Sequence, residues 1–187
     1  FMKSKEYNLV STVDDGDCFF DTIKKGLALA GKRVTIKDMR KIVSNNTSID
    51  IMETYITLYF NGKRERDNLV EIKKSLKTQQ KELKKQIKGS NRSSVLYQIE
   101  EIQEQLSDID ETLPIYENMV AEFNFITPIL PVDETDPSDV KMIPPETDEQ
   151  KQECYQKFKK ILQTCDFWAN DSTIAIIEKA LNIKLIL

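Results

Sequence analysis

From Lys63 to Val120 apolar residues recur at spacings of three and four, the repeat of a helix that buries one stripe against another helix. Ile99, Ile102, Leu106, Ile109, Leu113, Tyr116 and Val120 form an a/d seam, and Leu69, Ile72, Leu76, Leu83 and Ile87 give a second one with a polar position near Gln79 and Gln80. Gly89-Ser90-Asn91 between them is a turn signal. The first leg is rich in lysine (Lys73, Lys74, Lys77, Lys81, Lys84, Lys85, Lys88) and the second in carboxylates (Glu100, Glu101, Glu104, Asp108, Asp110, Glu111). Opposite charge favours folding one leg back on the other and sets register more than stability. The expectation is an antiparallel helical hairpin, each leg of roughly 24 residues reaching on the order of 35 Å. Pro114 interrupts the seam and predicts a kink or a restart of the second helix, because it lacks an N–H and its ring crowds the preceding turn.

Such an arm accounts for the high charged content, 31% against 40% hydrophobic in 187 residues. The length suits one domain carrying an insertion. A net charge of −4 argues against general nucleic-acid binding. Three cysteines without paired metal-like spacing predict free thiols and a reducing, cytoplasmic setting, with no metal site and no cofactor. No apolar run has the length of a membrane span.

The rest of the chain reads as short elements. Tyr7 to Val13 is β-rich and predicts a strand. A helix follows from Cys18 to about Ala30, with Phe20, Ile23 and Leu27 on one face and Gly31 as its stop. Thr35 with Asp38 forms a capping-box pattern for a second helix that turns Met39, Ile42 and Val43 inward. A third runs from Ile49 to Phe60 and is ended by Asn61-Gly62. Phe123 to Leu130 reads as extended, and Pro131 to Gln150 as a long acidic surface loop. Thr147 caps a helix from Asp148 to Thr164, and Ile174, Ile177 and Leu181 share one face of the last helix, which Asn182 stops. Ile183 to Leu187 reads as a buried strand.

Chemistry concentrates at Asp14-Asp15-Gly16-Asp17-Cys18-Phe19-Phe20, where strand-like sequence passes into helix. A thiol at a helix N-terminus is favoured as thiolate, its nucleophilic form. Gly16 permits a tight turn, and Asp14, Asp15 and Asp17 bring N-cap chemistry. The same N–H groups suit an oxyanion. The plainer reading stands beside this one, since free cysteine is most often a small core residue. Cys154 and Cys165, away from any strand-to-helix junction, read as structural.

Asp15, Gly16, Asp17, Cys18, Phe19 and Phe20, with Ile23 on the helix that follows, resemble the nucleophile motif of the ovarian-tumour (OTU) domain cysteine proteases, which are deubiquitinating enzymes. Trp168, Asp171 and Ile174 to Leu187 resemble a second segment of that family, and Thr35 to Val43 its helix after the nucleophile. The resemblance covers about Val10 to Val43 and Glu153 to Leu187, not the arm. It implies an α+β, papain-like fold with a small central β-sheet flanked by helices. The domain would be split into 1–62 and 123–187 by an inserted hairpin at 63–122. It further implies Cys18 as nucleophile for isopeptide bonds at the ubiquitin C-terminus, Asp15 as a residue shaping the oxyanion hole, and backbone N–H groups of Asp15, Gly16, Asp17 and Cys18 as that hole. Ubiquitin or polyubiquitin is the implied partner, and the arm is a further candidate contact for a protein. A cytoplasmic OTU domain with its own insertion suits a viral or bacterial effector acting in host cytoplasm.

The family's general base is a histidine, and this sequence has none. The resemblance places that histidine just beyond Leu187, so a cut chain is one expectation. Another residue as base, or a catalytically inactive ubiquitin- or partner-binding module that uses the arm, are the others.

Overall fold

The computed structural model describes residues 11–13, 15–87, 92–133 and 141–185. Among the described residues six α-helices run in order: α1 (Cys18–Leu29), α2 (Ile36–Asn46), α3 (Ile49–Lys85), α4 (Arg92–Glu122), α5 (Asp148–Ile161) and α6 (Asp171–Leu181). A 3-10 helix spans Asn124–Ile129. Two two-residue strands, β1 (Val132–Asp133) and β2 (Lys141–Met142), pair antiparallel with Val132 opposite Met142. The chain divides into two compact units, Phe1–Met52 with Thr127–Leu187, and Glu53–Ile126.

In the first unit each helix buries one stripe. Phe20, Ile23 and Leu27 of α1, Met39 and Val43 of α2, Cys154 and Phe158 of α5, Leu162 and Phe167 beyond it, and Ile177 of α6 form the core. The caps follow the sequence. Thr35 and Asp38 close a capping box on α2, and Thr147 and Gln150 close another on α5. Asn170 caps α6, whose other end turns at Asn182 with φ 49°. Ser44 of α2 donates to the Lys159 carbonyl at 2.8 Å, and the Tyr155 hydroxyl donates to the Thr47 carbonyl at 2.8 Å. These bonds tie the C-terminal part of α2 to α5.

In the second unit α3 and α4 pack as an antiparallel pair. Early residues of α3 meet late ones of α4: Gly62 lies against Met119, and Lys73 pairs with Asp110 at 2.5 Å. Leu76, Ile102, Ile109 and Leu113 are buried together, flanked by Leu69, Leu83 and Leu106. Near the base of the pair Tyr55 stacks on Phe123 with ring centres 5.6 Å apart. The turn signal at Gly89-Ser90-Asn91 lies outside the described residues.

Several expectations are corrected. A papain-like α+β fold with a central sheet is overturned, because β1 and β2 are the only strand pair among the described residues. Ser11 to Val13, the described part of the first predicted strand, are exposed and not in a strand; Tyr7 to Val10 lie outside the described residues. The predicted strand from Ile183 fails for a local reason. Ile183 donates its N–H to the Glu178 carbonyl at 3.1 Å, and Leu185 donates to the Glu178 carboxylate at 2.6 Å. The last turn of α6 therefore holds N–H groups that a ladder would need; Ile186 and Leu187 are outside the described residues. Asn61-Gly62 does not end the third helix. Gly62 is helical and buried against Met119, so packing along the seam outweighs the roughly 1 kcal/mol propensity cost of glycine. Pro114 likewise lies inside a continuous α4 instead of restarting it, and Leu113 beside it is buried. The segment from Phe123 to Leu130 forms the 3-10 helix Asn124–Ile129 instead of extended chain, with Ile126, Ile129 and Leu130 buried. The segment read as a long loop after Pro131 carries β1 and β2.

Candidate functional site

The Asp15–Cys18 segment is a turn that opens α1. The Cys18 N–H donates to the Asp15 carbonyl at 3.1 Å, and the Asp17 N–H donates to the Asp15 carboxylate at 2.8 Å. Asp17 is the N-cap residue, yet its side chain makes no capping bond. Its carboxylate is taken instead by Arg40, which lies 23 positions on in α2 and is 3% exposed.

Arg40 organises the region. Its Nε donates to Asp17 Oδ1 at 2.7 Å and its Nη2 to the Gly16 carbonyl at 2.8 Å. Nη1 donates to the carbonyls of Leu162 and Phe167, each at 3.3 Å. The guanidinium also lies over the Phe20 ring, 4.6 Å from its centre. One planar fork thus joins the Gly16-Asp17 turn to the segment that leads into Trp168. A planar donor set that neither deprotonates nor accepts suits this task better than an ammonium would.

The two segments meet directly as well. A Cβ on Gly16 would stand 1.8 Å from the carbonyl oxygen of Cys165 and 3.3 Å from its Cα. Gly16 is therefore required by close approach and not by a left-handed backbone; among the described glycines the positive φ is at Gly31, 73°, past the end of α1. Cys18 is half-buried and Cys165 is exposed, both as free thiols. Cys165, read from the sequence as structural, lies at the surface. Cys154 is buried, its Sγ donates to the Ile129 carbonyl at 3.1 Å, and burial pushes its thiol pKa up. Trp168 is 58% exposed beside Phe167.

Asp21, one helical turn after Asp17, is buried at 4% exposure. A hydrogen bond from Lys25, then the charges of Lys25 and Lys24 and the Val13 N–H, hold its carboxyl below the usual range against the opposing effect of burial. Lys25 also reaches the Ser11 carbonyl at 2.7 Å, which fixes the chain entering the turn.

The structure thus brings Asp15, Gly16, Asp17 and Cys18 together at one helix start, with Cys165 and Phe167 against them. In this conformation two N–H groups expected to face an oxyanion, those of Asp17 and Cys18, are engaged by Asp15. Sequence reasoning missed Arg40 and Asp21. Arg40 had a signal: a charged residue set between Met39 and Val43 on the inward stripe of α2 needs a buried partner. Among the described residues no group of three or more His, Cys, Asp or Glu side chains is placed to hold a metal, and no helix is long and apolar enough to cross a membrane.

No protein-family model matches this chain, and no curated protein or solved structure matches it either.

Proposed function

We propose that the chain carries the nucleophile half of a deubiquitinating cysteine protease site of the OTU type, with Cys18 attacking the carbonyl at the ubiquitin C-terminus. The observation that supports this is Arg40. It ties the Gly16-Asp17 turn to the Phe167 carbonyl, so the two segments that carry the family resemblance, about 150 positions apart, are neighbours in space. Cys18 is the first residue of a 12-residue helix, so its sulfur sits at the helix N-terminus.

In this reading the Cys18 thiolate adds to the carbonyl carbon, the amine leaves with a proton, and water hydrolyses the thioester. The developing oxyanion is met by N–H groups of the turn once the Cys18 N–H exchanges its bond to Asp15 for one to substrate. The proton acceptor that the mechanism needs is not an imidazole of these 187 residues, which contain no histidine.

An electrophile at the ubiquitin C-terminus tests the nucleophile without needing the base, because raising the pH to about 9 ionises an ordinary thiol. The expected result is one ubiquitin adduct at Cys18, absent in Cys18→Ala, with the more exposed Cys165 unmodified. An adduct that survives Cys18→Ala, or none at all, sinks the proposal.

A second reading, a non-catalytic ubiquitin-binding module, is favoured by the engagement of the Cys18 and Asp17 N–H groups within the turn. It expects calorimetric binding of free ubiquitin that is unchanged by Cys18→Ala, together with no adduct.

A further inference from the structure

We propose that Cys18 and Cys165 are a redox pair that closes to an intramolecular disulfide under peroxide and takes the Cys18 sulfur out of use. The pairing concerns the same sulfur as the proposed protease site, and its consequence for ubiquitin chemistry rests on that reading; the disulfide itself does not.

Three observations carry it. The chain bearing Cys165 touches the turn bearing Cys18, with the Cys165 Cα 3.3 Å from where a Gly16 Cβ would stand and Cys18 two residues further on. A disulfide needs Cα atoms about 4.4–6.8 Å apart, and the contact at Gly16 sets Cys165 against the turn that leads into Cys18. Arg40 holds both sides of that contact: Gly16 and Asp17 precede Cys18, and Leu162 and Phe167 bracket Cys165. Residues 162–167 lie between α5 and α6 in turns and bends, so Cys165 sits on backbone free of a helical ladder. The third cysteine is set apart. Cys154 is 2% exposed, hydrogen-bonded to Ile129 and shifted toward the inert thiol by burial.

The chemistry balances with hydrogen peroxide as the oxidant. The Cys18 thiolate attacks the O–O bond; an S–O bond forms, the O–O bond breaks, and the departing hydroxide takes a proton to become water. Sulfur loses two electrons and peroxide gains them. The Cys165 thiolate then attacks the Cys18 sulfur, the S–S bond forms, the S–O bond breaks, and the second oxygen leaves as water. A dithiol reductant supplies the two electrons that reverse the step.

The test uses the 187-residue chain treated with hydrogen peroxide and mapped by non-reducing peptide mass spectrometry. Accessible plus denatured free thiols should fall from the three of the reduced chain to one, the remaining one at Cys154, with a Cys18–Cys165 linked peptide and no change of oligomer mass. Dithiothreitol should restore all three. In Cys165→Ser the linked peptide should vanish and Cys18 should accumulate as a sulfenic acid trapped by a cyclic 1,3-dione. Absence of the linked peptide in the unmutated chain, or a link found only between molecules, overturns the pair.

The ubiquitin electrophile separates the two proposals. An adduct that is lost on peroxide treatment and regained on reduction supports both. A linked peptide with no adduct under any condition removes the protease reading and leaves the pair standing. An adduct that persists through peroxide without a linked peptide removes the pair and leaves the protease reading.

Discussion

A guanidinium shared among Asp17, Gly16, Leu162 and Phe167 should respond to substitution in steps. Arg40→Ala leaves three backbone carbonyls without their donor and a carboxylate without its counter-ion, a loss of about 3–5 kcal/mol for a buried pair with one partner removed. The low end applies, since the Asp17 side chain keeps 28% of its surface in water. Arg40→Lys keeps the charge but not the fork and should lose about half as much. Urea unfolding followed by circular dichroism checks both; a lysine midpoint equal to that of the unmutated chain would show that charge, and not geometry, holds the turn. A second residue-scale prediction concerns acid. The Leu185 N–H, then Lys184, hold the Glu178 carboxyl below its usual value of 4.5, with burial opposing. A carboxylate depressed in the folded state contributes stability above its unfolded pKa, and loses it as pH falls through the lower folded value. Glu178→Gln should therefore narrow the difference in urea midpoint between about pH 6 and about pH 3. An unchanged difference would show that the Leu185 bond does not couple to folding.

At the scale of elements, the α3–α4 pair rests on a narrow apolar seam, so its cost should appear locally. Leu76→Ala removes a side chain that is 8% exposed among Ile102, Ile109 and Leu113, for about 2–4 kcal/mol. The Lys73–Asp110 pair is 25% and 59% exposed at its two side chains, so water screens it and it adds little beside the seam. Hydrogen exchange should therefore quicken along α3 and α4 in Leu76→Ala, while amides of α1 and α5 keep their protection. Faster exchange in α5 would contradict local control by the seam. The same elements show what the sequence made legible. Helix starts at Thr35 and Thr147 were readable because a cap is a local pattern of side chain and backbone. The seam at Ile99, Ile102, Ile109 and Leu113 was readable because its period is regular. Asn61-Gly62 misled because propensity is weak against tertiary packing, here Met119 over Gly62. Ile183 to Leu185 misled because an apolar run says nothing of where its N–H groups go, and Glu178 accepts two of them. Cys18 at a helix start was legible from the motif, but the contacts of Gly16 with Cys165 and of Gly16 and Asp17 with Arg40 were not. They join residues 23 or more positions apart, and no local pattern encodes them.

At the scale of the molecule, each compact unit buries its own apolar residues. Phe20, Met39, Val43, Phe158, Leu162, Phe167 and Ile177 belong to the first, and Leu76, Ile102, Ile109 and Leu113 to the second. Every partner of Arg40 lies in the first unit. The arm should thus be removable without loss of the Cys18 turn. The point of closure is given by Gly62 and Met119, where a Cβ on the glycine would lie 3.1 Å from the methionine side chain. Each linker residue spans up to about 3.5 Å, so roughly four Gly and Ser residues can replace 63–118. The shortened chain should lose helical ellipticity in proportion to the residues removed and still unfold cooperatively. Its cysteines provide the decisive readout. Cys165 should react with a thiol reagent at its former rate, Cys18 should respond to peroxide as before, and Cys154 should stay protected until denaturant is added, since Phe158, Leu162 and the Ile129 carbonyl remain in place around it. Rapid labelling of Cys154 in the absence of denaturant would mean that the first unit needs the arm to fold. Retained protection with a slower ubiquitin adduct at Cys18 would assign the arm to substrate engagement, because the nucleophile's own surroundings would then be intact.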